Sequence, residues 1–377
     1  MRTVLICGAG VAGPTLAYWL ARAGFRPTVV ERADGQRSSG SPVDVRGPAL
    51  PVVEQMGVVD ALRAAATHAT GIRFVDSAGR LSRRISMPAN RSAAGTREIE
   101  VPRADLARIL CAAAHDDAEF VYDDTITRLD QDTGGVDVGF ERGPDRRFDL
   151  VVGADGLHST TRRLAFGPER EFVRHLGIYV ATTPLGEPPE HPQDVLLHNT
   201  PGRLVAMHPV RGEVGVAFIF RHRAVADFDY RDLAQHRRIL AQAYAGEYGW
   251  RVPELLTRAL RADDLYFDAV SKVALPAWSA GRVVLLGDAA ASVSLFGDGS
   301  SLAIAGARTL AAALAEADHR TAFRRYEAAH RRRTDARGRG AGLVAAMLIP
   351  KTRAGILARN AAARLLPTGH RTRAAAS

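Results

Sequence analysis

The chain has 377 residues, 46% of them hydrophobic and 24% charged. That length and balance exclude a disordered or fibrous chain and predict one large domain with insertions, or two closely packed domains with a sizeable core. The formal net charge of +9 comes from arginine, since Lys272 and Lys351 are the only lysines. Much of the excess lies from Arg331-Arg332-Arg333 through Arg337, Arg339, Arg353, Arg359, Arg364, Arg371 and Arg373. No aromatic residues interleave with these arginines, so the block reads as the solvated face of terminal helices rather than a base-stacking surface, and nucleic acid is not the expected partner. Two cysteines, Cys7 and Cys111, cannot build a disulfide framework and point to a reducing compartment. Glycines and Pro14 interrupt the apolar stretch Thr3 to Leu20, and Leu343 to Pro350 is too short to span a bilayer. The expectation is a cytoplasmic protein with no integral membrane segment, a monomer or homodimer.

In chain order, Thr3 to Cys7 reads as an apolar strand, Pro14 to Ala23 as a helix and Pro27 to Glu31 as a second strand, together a βαβ unit. Ile72 to Ile85 alternates around Ser77-Ala78-Gly79, as a hairpin does. A helix starts near Arg103, and short strands lie between Phe120 and Val152, ending in Leu150-Val151-Val152. From Glu171 to Ala277 the pattern becomes that of an antiparallel sheet, with alternating Leu204 to His208 and Val214 to Phe220, plus one helical segment around Leu233 to Tyr248. Val283 to Leu286 is another apolar strand, and Ser301 to Ala315 is helix-compatible. The fold class expected is α/β: a doubly wound Rossmann-type domain (1–71, 96–170 and 278–325), an inserted antiparallel-sheet substrate domain (72–95 and 171–277), and C-terminal helices (326–377).

Three motifs carry chemistry. Gly8-Ala9-Gly10-Val11-Ala12-Gly13 follows a strand and opens a helix. Gly8 suits a tight turn, Gly10 lets the backbone approach a pyrophosphate, and Gly13 lets helix and strand pack closely. The helix amino end then offers unpaired amides to phosphates, and Glu31, at the tip of the second strand, can accept a hydrogen bond from a ribose hydroxyl. This fingerprint specifies a dinucleotide without choosing between NAD and FAD. Further along, Leu150 to Val152 runs into Gly153-Ala154-Asp155-Gly156, and Val283 to Leu286 runs into Gly287-Asp288.

With those three motifs in order over most of its length, the chain resembles the single-component FAD-dependent aromatic hydroxylases, the family typified by para-hydroxybenzoate hydroxylase and including the tetracycline-inactivating monooxygenases. The resemblance implies FAD as cofactor. Glu31 would hold the adenosine ribose, Asp155 and Gly156 the region between pyrophosphate and nicotinamide cofactor, and Asp288 the ribityl chain. The segment Glu98 to Leu106 resembles the family's arginine segment, with Arg103 facing the flavin chain. Arg46, in Val43-Asp44-Val45-Arg46-Gly47, resembles a flavin-loop position, and Arg32 and Ser300 complete the implied cofactor contacts. After Asp288 the pattern departs: the family's histidine, prolines and asparagine are absent, whereas Gly297 and Gly299 remain.

The activity implied is NAD(P)H- and O2-dependent hydroxylation of an aromatic or polyketide-like small molecule through a flavin hydroperoxide. The substrate is expected between the inserted sheet and the flavin. Alternatives are a flavin-dependent reductase of the geranylgeranyl-reductase type, a non-catalytic flavin- or ligand-binding protein, and a nucleic-acid binder using the basic tail. No catalytic residue stands out, His208 being the one candidate in the sheet segment, and no metal-ligand spacing is present.

Overall fold

A computed structural model describes residues 2–35, 42–82, 84–86, 98–292, 298–338 and 341–364. The chain divides into two compact units, the first formed by Met1–Ala66, Glu98–Leu176 and Val270–Ala341, the second by Thr67–Arg97, Gly177–Ala269 and Gly342–Ser377.

The first unit is built on a six-stranded sheet ordered Ser279–Ala280, Val283–Leu285, Leu150–Gly153, Thr3–Cys7, Arg26–Val30, Glu119–Val121. All neighbours are parallel except the short edge strand Ser279–Ala280. Alternate residues of the central strands feed opposite layers. Val4, Ile6, Val29 and Val152 share a core with Leu16, Leu20, Ile304 and Leu310. Leu5, Cys7, Val30 and Val151 pack instead with Ile126, Val136, Val138 and Phe148. Burial on both faces is why these strands are apolar without interruption rather than alternating.

The helical layer includes Ala12–Arg22 and Arg103–Ala114, with the long helix Asp298–Glu316 against Ala12–Arg22. The other layer is a three-stranded antiparallel sheet, Ile126–Gln131, Val136–Phe140 and Arg146–Phe148. The helix His319–Gly338 packs on the Asp298–Glu316 helix, and the Tyr326 hydroxyl of that outer helix donates to the Leu285 carbonyl at 3.3 Å.

The second unit is a seven-stranded sheet ordered Tyr266–Val273, Val173–Pro184, Glu213–Arg221, Arg203–Val210, Asp194–Thr200, Gly71–Val75, Ile85–Ser86. The hairpin expected over Ile72 to Ile85 forms its edge, with Ile72 opposite Ile85. Leu204 lies opposite Ile219 in the antiparallel pair at its centre. Along Glu213–Arg221 the residues Val214, Val216, Phe218 and Phe220 are buried, packed with Ile239, Leu240 and Leu255 of two covering helices, Leu233–Ala243 and Val252–Arg261.

Those two helices correct the single helical segment expected around Leu233 to Tyr248. The first stops at Ala243 because Gly246 takes a positive φ of 80° three residues on. The second restarts with Pro253 in its first turn, where a missing amide costs nothing. Asp232 caps the first helix, accepting from the Gln235 amide at 2.9 Å.

Phe218 is fully buried and edge-on to Tyr244 at 5.1 Å between ring centroids. Phe218→Ala therefore empties the centre of this core and is expected to cost about 3–5 kcal/mol, read as a lowered denaturation midpoint. A loss under about 1 kcal/mol would mean that the sheet and helices do not pack as described.

Candidate cofactor site

The motifs meet because the strands that carry them are parallel neighbours. Cys7 is in register with Gly153 and Val30, and Gly153 with Leu285, so the residues following each strand emerge along one edge of the sheet. Backbone hydrogen bonds continue past the strand ends: Gly8 N to Val30 O at 2.7 Å, Ala154 N to Cys7 O at 2.8 Å and Leu286 N to Gly153 O at 2.8 Å. Gly8, Glu31, Asp155 and Gly287-Asp288 therefore stand beside one another at the carboxyl ends of the strands, where open α/β sheets bind ligands.

The glycines of the first motif divide by what surrounds them. A Cβ on Gly8, whose φ is 107°, would lie 2.5 Å from the Ala154 carbonyl oxygen. One on Gly13 would lie 1.9 Å from the Gly8 oxygen. Gly10 is different, for among the described residues no atom beyond its chain neighbours lies within 4 Å of its Cβ position. Protein packing accounts for Gly8 and Gly13, whereas Gly10 keeps open the space through which a pyrophosphate would approach. Among the described residues no side-chain bond caps the helix that follows at its N-cap residue Val11, which leaves its amino end to an outside acceptor.

Glu31 is held by the loop it faces. Its carboxylate accepts from the Ala9 amide at 2.8 Å and the Ala33 amide at 3.0 Å. Asp155 accepts from Ser159 Oγ at 2.5 Å and from both the amide and the hydroxyl of Thr161, at 2.9 and 3.0 Å. Beneath them, burial, reinforced by the nearby Asp155 charge, pushes the Cys7 thiol far above its ordinary range and keeps it protonated. Arg32 donates to Thr160 Oγ1 at 3.2 Å.

The turn Gly287–Ala289 packs on two helices at once. A Cβ on Gly287 would be 3.3 Å from Cβ of Ala12 and 3.6 Å from Cβ of Ala303. Asp288 Oδ1 lies 3.5 Å from the Cβ position of Gly299, and Ser300 is buried in the first turn of the helix Asp298–Glu316. Ser301 ties that turn to the Arg46 segment, donating to the Asp44 carbonyl at 2.7 Å and accepting from the Arg46 amide at 3.0 Å. The Arg46 guanidinium sits 3.6 Å from Asp44 and 3.9 Å from Glu98. Arg103 opens the helix Arg103–Ala114 and is exposed, with no ion pair among the described residues. Gly297 lies outside the described residues.

Arg162 escaped the sequence reading. Its side chain is 0% exposed and links two motifs, donating to the Leu157 carbonyl at 2.5 Å and the Ala289 carbonyl at 3.1 Å. Burial lowers its pKa, a shift opposed by Glu169, which lies 3.3 Å away, and by Asp155. Glu169 also pairs with His158 Nδ1 at 2.9 Å. The available signal was the Ser159-Thr160-Thr161-Arg162 run after Asp155-Gly156, where hydroxyls, a cap and a cation follow the acid at helical spacing.

In the second unit His208 has Nδ1 2.9 Å from the Pro209 oxygen and lines a cavity of about 80 Å³ with Met207, Trp250 and Arg251. That volume is well below the roughly 300–1,000 Å³ of drug-sized ligand pockets, so the cavity is too small for a polyketide.

A parallel sheet whose strand tips present a glycine fingerprint and three acids defines a dinucleotide-dependent oxidoreductase. The chain belongs to the FAD-binding-domain family of flavin-dependent monooxygenases: the model described as FAD binding domain matches residues 1–339. It is 39% identical over 334 residues to the uncharacterized protein Rv1260 of Mycobacterium tuberculosis, spanning 87% of this chain and 89% of that one. It is 33% identical over 341 residues to a flavin-dependent monooxygenase of Legionella longbeachae, spanning 88% and 86%. The crystal structure of tetracycline destructase Tet(55) superposes with a TM-score of 0.83 at 32% identity, covering 97% of this chain and 95% of that one.

The glycine geometry separates two substitutions. Gly10→Ala is expected to leave the melting temperature of the FAD-free protein within about 2 °C of the parent while weakening FAD binding about tenfold or more, because among the described residues the new methyl meets no atom beyond its chain neighbours. Gly13→Ala forces the helix off the strand and is expected to lower the melting temperature by several degrees at least. Equal effects on stability would contradict the division of roles.

Proposed function

We propose that this chain binds FAD along the carboxyl edge of its parallel sheet and uses NAD(P)H and O2 to hydroxylate an aromatic or polyketide-like small molecule. The observation that carries this reading is the convergence of four strand tips, bearing Gly8, Glu31, Asp155 and Asp288, on one edge beside an uncapped helix amino end. In it the pyrophosphate lies against Gly10 and the amides opening the helix Ala12–Arg22. Glu31 takes the adenosine ribose, since each of its oxygens keeps a second lone pair after accepting one amide. Asp288 takes the ribityl chain, and the amides of Gly299 and Ser300 face the negative charge that the ring carries when reduced.

Asp155 is more committed, accepting three hydrogen bonds already, so its role is to fix the turn that presents Gly156 to the cofactor. Arg103 and Arg46 supply positive charge to the dianion. Arg103 supports this by its position, because an arginine at the positive end of a helix is unfavourable by roughly 0.3–1 kcal/mol until an anion joins it. Once bound, FAD supplies the redox chemistry, and the protein orients the substrate and excludes water. The likeness to tetracycline destructase Tet(55) makes tetracycline-like polyketides the first substrate class to try.

The purified chain with FAD is expected to show a flavin absorption spectrum that NAD(P)H bleaches, with oxidation accelerated by one member of a phenol and polyketide panel. The product should gain one oxygen. A product gaining two hydrogens would replace hydroxylation by reduction, and a protein that takes up no FAD would remove the proposal altogether. Arg103→Ala should weaken FAD binding by about tenfold, the worth of one charge-assisted hydrogen bond. An unchanged dissociation constant would take Arg103 out of the site.

A further inference from the structure

Four large apolar side chains at the C-terminal helices face solvent: Leu343 (69% exposed), Val344 (40%), Met347 (55%) and Leu357 (69%). The first three lie on one face of the helix Ala341–Leu348, whose opposite face buries Ala345. This is not a loosely attached end. Arg221 donates to the carbonyls of Ala345 and Ile349, both at 2.9 Å, and Asn199 to that of Leu348 at 3.1 Å. The Gly202 amide donates to the Pro350 carbonyl at 2.8 Å. Arg359, from the helix Arg353–Arg364, donates to the Met347 carbonyl at 3.2 Å and lies 4.3 Å from the centroid of the Phe74 ring. Several hydrogen bonds, most of them partly buried, thus hold in place a surface that presents apolar side chains to water, the kind of patch that globular chains otherwise keep small.

The charge of the same stretch is equally one-sided. Residues 336–377 contain Arg337, Arg339, Lys351, Arg353, Arg359, Arg364, Arg371 and Arg373 and no aspartate or glutamate. These eight account for all but one of the chain's net +9, leaving +1 for residues 1–335. Lys351 and Arg353 are exposed between the two helices. An apolar helix face bordered by cations with no acids has one well-matched counterpart.

We propose that the hairpin of helices Ala341–Leu348 and Arg353–Arg364 docks on an anionic lipid bilayer. Leu343, Val344, Met347 and Leu357 enter the boundary between headgroups and acyl chains, and Lys351 and Arg353 meet lipid phosphates. The attachment is peripheral, since among the described residues no helix is long and apolar enough to cross a membrane. Nucleic acid fits less well, because residues 336–377 contain no phenylalanine, tyrosine or tryptophan on which bases could stack and the exposed side chains are aliphatic. A second copy fits less well too, since its matching face would bring one acid-free, basic stretch of chain against another.

Flotation of the full chain, loaded with FAD, on vesicles of phosphatidylcholine alone or with one third phosphatidylglycerol tests this. Affinity for the anionic vesicles is expected to be about tenfold or more higher and to fall as salt rises. The triple variant Leu343→Ser, Met347→Ser, Leu357→Ser should lose most of that binding at unchanged flavin absorbance and circular dichroism. Lys351→Gln with Arg353→Gln should flatten the salt dependence. Equal binding to both vesicles, no binding, or a triple variant that floats like the parent overturns the proposal. Tighter binding to a short DNA duplex than to vesicles overturns it in favour of nucleic acid, and a dimer abolished by the triple variant without vesicle binding does so in favour of self-association.

Discussion

The cofactor edge depends on one close approach, the Gly13 α-carbon against the Gly8 carbonyl, where an added Cβ would stand 1.9 Å from oxygen. Because nothing larger than hydrogen intervenes, the helix Ala12–Arg22 lies low against the sheet and directs its amino end past the strand tips. The same helix sets the next spacing. Ala12, Gly287 and Ala303 meet through methyl-sized contacts, so the Gly287-Asp288 turn and the helix Asp298–Glu316 approach as closely as small residues allow. The distance between the first and last motifs is thus fixed by absent side chains.

Gathering three carboxylates at one sheet edge is electrostatically unfavourable, and the structure meets this locally. Glu31 takes two amides, and Asp155 takes two hydroxyls and an amide. Arg162 places a cation within electrostatic reach of Asp155, and its buried charge is offset by two carbonyls and Glu169. Removing any one partner from such a cluster leaves the others unsatisfied, at a cost of a few kcal/mol each. Both carboxylates are thereby held in one orientation.

Much of this was legible in the residues because the relevant signals are local. A strand, three glycines, a helix and a second strand ending in Glu31 lie within the first 31 residues, and each acid after a later strand carries its own glycine. Alternation in Leu204 to His208 and Val214 to Phe220 gave the antiparallel pair. Features that depend on distant partners were not legible. The run after Asp155-Gly156 marks Arg162 locally, but the Ala289 carbonyl that helps hold its buried guanidinium lies 127 residues on, and that partner is not signalled there. The stop at Ala243 and restart at Val252 were hidden by composition that stays helix-compatible around Gly246 and Gly249. Catalytic residues left no local mark, as expected where the cofactor performs the chemistry.

The interleaved order of the parallel sheet bears on synthesis. Its interior strand Val283–Leu285 pairs with Leu150–Gly153 and comes from residue 285 of 377, so a nascent chain emerging from the ribosome carries an unpaired strand edge at Leu150–Gly153 until about three quarters of translation is done. Val151 and Val152, both buried in the finished sheet, are exposed to wrong partners during that interval. Expression at lower temperature or with chaperones should raise the yield of folded protein for this topological reason, whatever the thermodynamic stability of the native state.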